Sequence, residues 1–321
     1  NIKYLIYTFI GVYLLIFIDG YYQYFTGYNF LGYKWDGDRL SSFFGEEKIL
    51  GSFLSRTYPF FFGLISYYHK NNLLVFIGLV GFILSDILIF LSGDGTAAFY
   101  LILSSIIIIT LTKKFKLARL ITFFISVIAI IFIFIYTPTV KERIITKTIN
   151  EITIIGEDEI NFNTNKIDSF FGKFYFYTQV HHGYLLVSIK IFKDNFFFGS
   201  GPKLFREECK KEVYKVDNRT FCNTHPHNTY LQLLAETGIF STLMILSIFF
   251  YILFRFVLHL YALTFKKEYL LTDANICFLT CLIISLFPLI PSGNFFGNWL
   301  NTIYYLPIGF ILYEIDNKNK K

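Results

Sequence analysis

The stretch "HPHNTYLQLLAETGIFSTLMILSIFFYILFRFVLHLY", residues 225–261, changes character at Gly238. Before this glycine the chain is polar and carries two histidines, whereas residues 239–261 are almost entirely apolar. A helix needs about 20 apolar residues to cross the hydrocarbon core of a bilayer. The stretch therefore predicts a membrane-spanning helix that directly follows a polar, histidine-bearing segment.

The composition of the whole chain agrees with this. The chain has 321 residues, of which 54% are hydrophobic and only 16% charged, and its mean hydropathy is +0.51. A soluble domain would not combine so little charge with several long apolar runs, so we expect an all-α integral membrane protein. The net charge of +6 is small for this length, and no basic stripe alternates with aromatic residues. We therefore expect membrane lipids and no nucleic acid among its partners.

Eight apolar runs are candidate membrane spans. They are residues 2–18, 50–68, 73–91, 96–112, 117–136, 239–261, 275–290 and 298–313. The last two are short and are interrupted by prolines, so a re-entrant pair remains an alternative there.

Basic residues between the runs predict the orientation of the chain. Four clusters fall on one side when the spans alternate: Lys70; Lys113, Lys114, Lys116 and Arg119; Lys266 and Lys267; Lys318, Lys320 and Lys321. Positive charge in short loops marks the cytoplasmic side. The sequence thus predicts three parts: a transmembrane bundle at 1–136 with an outer loop at 19–49, an outer segment at 137–238, and transmembrane helices at 239–321.

Cysteine positions bear on the outer segment. Cys209 and Cys222 both lie in it, where thiols can be oxidised, and we expect a disulfide between them, with two free thiols as the alternative. Such a bond would stabilise the segment by roughly 3 kcal/mol just before His225. Cys277 and Cys281 lie inside a predicted span and are expected to be inert. With no CxxC pair and no third ligand beside the HxH pair, we expect no metal site.

Within the outer segment, residues 170–193 predict an amphipathic helix and "GSGP" at 199–202 predicts a tight turn. Residues 226–238 predict a helix of about three turns, which Pro226 would begin and Gly238 would end. Its polar residues Asn228, Gln232 and Glu236 recur every fourth position and share a face.

His227 would lie at the start of this helix. The positive end of the helix dipole disfavours a charged imidazole, so we expect a lowered pKa and a neutral ring. A neutral histidine can accept a proton, as a general base must.

Several stretches of the chain, the histidine motif first among them, resemble a known family. "HPHNTYLQLLAETGIF" (225–240) is similar to the signature of the O-antigen ligase and polymerase superfamily, bacterial inner-membrane glycosyltransferases that act on lipid-linked glycans. Stretches 39–59, 191–209 and 291–301 resemble further parts of that family in the same order. The resemblance implies a GT-C-like multi-span helical bundle, with more spans before residue 1 and the catalytic segment on the periplasmic side.

The resemblance also implies a reaction. A glycan would pass from undecaprenyl diphosphate to a sugar hydroxyl, such as one on lipid A core, without a cofactor. His227 would be the base, and Arg39 and Arg206 would clamp the diphosphate, because guanidinium groups offer paired donors to phosphate oxygens. The expected substrate-binding residues are His225, Asn228, Glu236, Arg56 and Arg143.

The chain departs from the family pattern at "LSGDGTAAF" (91–99), where many members have an arginine. The role of that arginine would be lost or taken over by Arg56 or Arg143. Alternatives therefore stay open: a polymerase of the same superfamily, a transporter of lipid-linked sugars, or an inactive membrane subunit. His181 and His182 are interpreted as ordinary surface residues, and Asp86, inside a predicted span, as either a proton-pathway residue or a helix-packing contact.

Overall fold

The computed structural model describes residues 2–35, 37, 39–68, 70–136, 179–216 and 218–319. Within these ranges the chain is helical, and its only β pairings are two isolated bridges, Tyr28 with Lys34 and Val216 with Arg219. Arg143 and the predicted helix start at 170–178 lie outside the described residues.

Ten α-helices follow one another along the described chain. They are α1 Ile2–Thr26, α2 Leu50–Ser66, α3 Asn72–Leu91, α4 Gly95–Leu111, α5 Lys116–Tyr136, α6 Gln179–Asp194, α7 Phe205–Glu208, α8 Thr229–Tyr261, α9 Asp273–Ser285 and α10 Asn298–Asn319. Short 3₁₀ turns cover Ser42–Glu47 and Glu212–Tyr214, and a π turn, Ala262–Lys266, ends α8.

Each of the eight predicted spans overlaps one of these helices, although α9 ends at Ser285, before the predicted span end at 290. Four helical segments are long and apolar enough to cross a membrane: Ile2–Thr26, Asn72–Leu91, Lys116–Ile133 and Thr229–Lys266. Helices α4 and α9 are apolar but shorter. The chain is thus a helical integral membrane protein, while the count of eight spans stays a prediction.

The described residues group into two compact units. The first takes in the described residues within 1–144, 252–285 and 303–321, and the second takes in those within 145–251 and 286–302. The first is a helical bundle, and the second carries the histidine motif. The three-part division of the chain into 1–136, 137–238 and 239–321 remains a prediction.

Helix α2 is the centre of the first unit, where it packs against α3, α4 and α9. Glycine permits this close approach: a Cβ on Gly63 would lie 2.6 Å from the ring of Phe278. Small residues play this part in membrane bundles, because packing must hold helices together where lipid is as apolar as the side chains. Aromatic rings fill the remaining space, as in the edge-to-face pair Phe62–Phe82, whose centroids are 4.3 Å apart.

A buried ion pair joins α3 to α5. The Arg119 guanidinium donates two hydrogen bonds to Asp86, at 2.8 and 3.0 Å, and a third to Ser105 Oγ at 2.7 Å. Ser126 Oγ donates to the same carboxylate at 2.9 Å. Our assignment of Arg119 to a cytoplasmic loop cluster was therefore wrong: its side chain is fully buried in the bundle, because Asp86 compensates its charge. The Asp86 carboxylate is therefore paired within the helix packing. An unpaired charge inside a membrane-spanning bundle would be costly.

Removing one partner of this ion pair should lower the stability of the protein more than replacing both partners with apolar residues. Asp86→Ala leaves a buried guanidinium without its carboxylate, and we expect a loss of about 3–5 kcal/mol of stability. Asp86→Leu combined with Arg119→Met removes both charges and should recover most of it. Thermal unfolding in detergent micelles would measure both; a double variant no more stable than Asp86→Ala would contradict this account of the pair.

Candidate active site

His227 occupies a bend that the neighbouring backbone fixes. Its φ is +55°, in the left-handed region, and its carbonyl accepts a hydrogen bond from Ser292 N at 2.8 Å. The next residue, Asn228, caps α8: its Oδ1 accepts from Tyr230 N at 2.9 Å and from Leu231 N at 3.1 Å. The helix therefore begins at Thr229 and not at Pro226 as we expected, because an asparagine side chain satisfies the first free N–H groups.

Three rings surround the imidazole of His227. The ring centroids of His225, Tyr184 and His181 lie 4.3, 5.6 and 5.7 Å away. His181 and Tyr184 come from one face of α6, three residues apart. Sequence reasoning placed His181 on an ordinary surface and missed Tyr184, because nothing local in the sequence links α6 to the histidine motif.

Asn223 determines which nitrogen of His227 carries the proton. Its Oδ1 accepts from the backbone N–H of Thr224 at 2.7 Å, and a backbone N–H can only donate. The amide atom that faces His227 is therefore Nδ2, which donates to His227 Nε2 at 2.9 Å. A neutral His227 that accepts at Nε2 carries its proton on Nδ1.

Burial keeps both histidines of the motif neutral. It lowers the pKa of His227 to about 4, with a smaller contribution from the positive charge of His181. Burial also lowers the pKa of His225 to about 4. His227 and Arg206 lower this pKa further, whereas a hydrogen bond with the backbone of Ser292 raises it. The direction is the one we expected for His227, but its main cause is loss of solvent rather than the helix dipole.

The buried carboxylate of Glu236 fixes the backbone at the start of α7, one residue before Arg206. Glu236 Oε1 accepts from Phe205 N, the first residue of α7, at 3.0 Å, and Oε2 accepts from Gln232 Nε2 at 2.9 Å. The Arg206 side chain is half-buried, and no carboxylate pairs with it among the residues the structure describes. Its charge contributes to lowering the pKa of His225, so the guanidinium lies within electrostatic range of that ring.

Two glycines let the turn before α7 close onto α8. Ser200 N and Gly201 N donate to the carbonyls of Ala235 and Glu236, each at 2.9 Å. Gly199 and Gly238 have φ of +67° and +74°. A Cβ on either glycine would overlap the backbone of the segment that packs against it. The predicted turn at 199–202 and the predicted helix end at Gly238 are both present; beyond Gly238, α8 resumes in a new direction.

The disulfide Cys209–Cys222 is present, with a Cα–Cα distance of 5.2 Å. It connects the end of α7 to the residue before Asn223, so the segments that carry Arg206 and the histidines are tied covalently. Cys277 and Cys281 are buried and unpaired, in line with the inert role expected of them.

Five of the residues expected to form the site belong to the second unit: His225, His227, Asn228, Glu236 and Arg206. Asn228 and Glu236 use their side chains within the fold: Asn228 Nδ2 donates to Pro288 O at 2.8 Å. In the described ranges no group of histidine, cysteine or carboxylate side chains has the geometry of a metal site.

Arg39 and Arg56 belong to the first unit. Arg39 is half-buried and precedes Ser41 and Ser42, whose backbone N–H groups donate to Gln23 Oε1 of α1 at 3.0 and 2.8 Å. Arg56 is buried inside the bundle and lies over the ring of Tyr100 on α4, 4.5 Å from its centroid.

In the stretch that lacks the family's arginine, Asp94 has a structural use. Its Oδ1 accepts from Thr96 N at 3.0 Å and from Ala97 N at 3.3 Å, so it caps α4.

Together the fold and this site define a class: a helical membrane protein that carries a neutral histidine and an arginine in the same compact unit. Comparison with protein-family models found one described as O-antigen ligase, which matches residues 77–246, just over half of the chain. The chain belongs to that family, which indicates a glycosyltransferase-type enzyme that works on lipid-linked glycan in a membrane. A search of curated proteins found no match.

The lowered histidine pKa values predict how stability depends on pH. Between the ordinary pKa of 6.5 and about 4, the unfolded chain binds protons at His225 and His227 that the folded chain does not. Stability should therefore fall as pH drops through this window and level off above it. Melting temperatures between pH 7.5 and 5 should show a shallower dependence in a His225→Gln, His227→Gln double variant; equal slopes would contradict the burial of these rings.

Proposed function

We propose that this protein is an O-antigen ligase that transfers a glycan from undecaprenyl diphosphate to a hydroxyl of lipid A core, at the periplasmic face of the bacterial inner membrane. The observation that carries the proposal is the presence, within one unit, of a neutral histidine and of an arginine that has no carboxylate partner among the described residues. The first can take a proton and the second can bind an anion.

In the proposed reaction the acceptor hydroxyl attacks the anomeric carbon of the donor glycan. As the new C–O bond forms, the bond to the diphosphate breaks, and the diphosphate leaves with the electron pair. His227 Nε2 takes the hydroxyl proton. Because Asn223 donates to that nitrogen in the structure, the acceptor hydroxyl must first replace the Asn223 amide as the donor.

Arg206 would stabilise the charge that develops on the departing diphosphate. The backbone beside Arg206 is already fixed by the bond from Phe205 N to Glu236, and the field of a half-buried guanidinium is screened less than in water. Because no carboxylate among the described residues pairs with Arg206, its charge is available to the donor. His225, in contact with the His227 ring, would support the base, whereas Glu236 and Asn228 would act by holding α7 and the start of α8.

Arg39 and Arg143 are proposed as further diphosphate ligands. Arg56 is buried against Tyr100 of α4, the helix that opens at "LSGDGTAAF", and is proposed to replace the arginine missing from that stretch.

A polymerase of the same superfamily is the second candidate. It would use the same donor and the same base, and would differ only in the acceptor, a second carrier-linked glycan. A transporter is less well supported, because transporters place their polar groups at broken helices near the bilayer midplane, whereas the histidine motif and Arg206 lie together in the second unit.

Replacing the proposed base and clamp should abolish transfer. In the full-length parent protein, expressed in a strain that lacks its own ligase, His227→Ala should reduce transfer at least 100-fold and Arg206→Ala by a similar factor. Arg219→Ala is the matched control, since Arg219 is an exposed arginine of the same unit, and it should transfer normally. Glycan on lipid A core is measured on gels alongside the membrane level of each variant.

Wild-type transfer by His227→Ala at normal membrane levels would rule out the base. Ladders that appear only on the carrier lipid would identify a polymerase instead of a ligase. A wild-type protein that forms neither product, though well folded, would rule out both candidates.

Asn223 offers a test of the proton position. In Asn223→Asp a carboxylate would face Nε2, which favours the protonated ring, so the pKa of His227 should rise and the acid limb of the pH–rate profile should move to higher pH by about one unit or more. Asn223→Ala removes the hydrogen bond that favours the neutral ring without adding charge, so it should move the limb upward by less than Asn223→Asp does. If neither variant moves the limb, Asn223 has no part in setting the proton position.

A further inference from the structure

Four phenylalanines form an exposed cluster on the second unit, which we call the Phe cluster: Phe196, Phe197, Phe198 and Phe240. Their side chains are 46%, 57%, 80% and 59% exposed. Single exposed apolar residues are common, but adjacent exposed rings form a patch that normally contacts something apolar. The first three precede the glycine turn at 199–201, and the fourth opens the apolar part of α8.

The Phe cluster is attached firmly to α8. Ile239 N donates to Phe196 O at 3.0 Å, and Gly238 approaches the backbone of Phe197 so closely that only glycine fits. The ring centroids of Phe197 and Phe198 lie 6.0 and 6.1 Å from that of Phe240. The four rings are therefore fixed at the point where α8 becomes apolar.

The position of Phe240 along α8 gives the depth of the Phe cluster. The apolar run 239–261 lies in a helical segment able to span a membrane and is followed by Lys266 and Lys267. Because about 20 residues cross the hydrocarbon core, these lysines mark one boundary and Phe240 the other. Exposed side chains continue from Phe240 at helical spacing, namely Leu243, Met244, Phe250 and Tyr251, and form a lipid-facing stripe.

Charged residues flank the Phe cluster as expected at an interface. Lys193 and Lys203 lie on either side of it in the sequence and are exposed. Membrane-anchoring segments typically combine two features. Their aromatic rings enter the hydrocarbon region, and nearby lysines face the lipid phosphates.

We propose that the Phe cluster inserts into the outer leaflet of the bilayer and anchors the glycine turn and α7 at headgroup depth. Arg206 follows Phe198 by eight positions and is tied to the same end of α8 through Glu236. The anchor thus holds Arg206 at the level where the diphosphate of a membrane-bound donor lies. This last step rests on the proposed function, whereas insertion itself does not.

Insertion is tested by fluorescence in vesicles of phosphatidylcholine and phosphatidylglycerol. Phe198→Cys in the full chain is labelled with the NBD fluorophore; the native cysteines are either in the disulfide or buried. Lipids with a doxyl group near the headgroup should quench this label strongly. The matched control is Val213→Cys, an exposed residue of the same unit among charged neighbours, which should be quenched weakly. Equal quenching at the two positions would overturn the proposal.

The depth of Arg206 is tested by donor chain length. A Phe197→Ser, Phe198→Ser double variant should transfer at least 10-fold more slowly from a long polyprenyl diphosphate donor in vesicles, but at the wild-type rate from a short-chain, water-soluble donor. The Phe197→Leu, Phe198→Leu variant keeps the apolar surface and should behave as wild type. Equal loss with both donors would overturn the depth argument, and a wild-type protein without transfer would reject the proposed function while the quenching result still stands.

Discussion

The site depends on the hydrogen bonds that the buried carboxylate of Glu236 accepts. A carboxylate removed from water must have its oxygens hydrogen-bonded, and here the donors are the first N–H of α7 and the amide of Gln232. Both donors are satisfied only when α7 begins at Phe205, beside α8. One side chain therefore sets the position of Arg206 relative to the helix that follows His227. Glu236 acts through the scaffold and need not touch a substrate.

Around this contact, the electrostatics of the site follow from burial. Three imidazoles and a guanidinium lie in one region, and they would repel one another if all were charged. Loss of solvent resolves the conflict for His225 and His227, because burial lowers the pKa of both rings and keeps them neutral. The second unit thus holds both neutral proton acceptors and a guanidinium, which suits an alcohol that must lose a proton and an anionic leaving group.

Local features of the site could be predicted from the sequence. The glycine turn, the helix end at Gly238, the disulfide and the polar face of the short helix depend on residues close in the chain, whose preferences act directly on the backbone. Features that depend on folding could not. Asn223 was missed because its role depends on a turn that returns its amide to His227, and His181 because α6 is far away in the sequence. Arg119 was misplaced because counting charges near a span end cannot reveal a buried partner such as Asp86 on another helix.

The central claim is that Arg206 and His227 serve one diphosphate site, and the pKa of His227 tests it most directly. In full-length protein with isotope-labelled histidine in nanodiscs, NMR titration gives this pKa with and without undecaprenyl diphosphate. An anion bound beside Arg206 should raise the pKa of His227 from about 4 by one unit or more. That rise should disappear in Arg206→Ala at the same lipid concentration. An unchanged pKa at saturating lipid would show that the diphosphate binds elsewhere and would contradict the account.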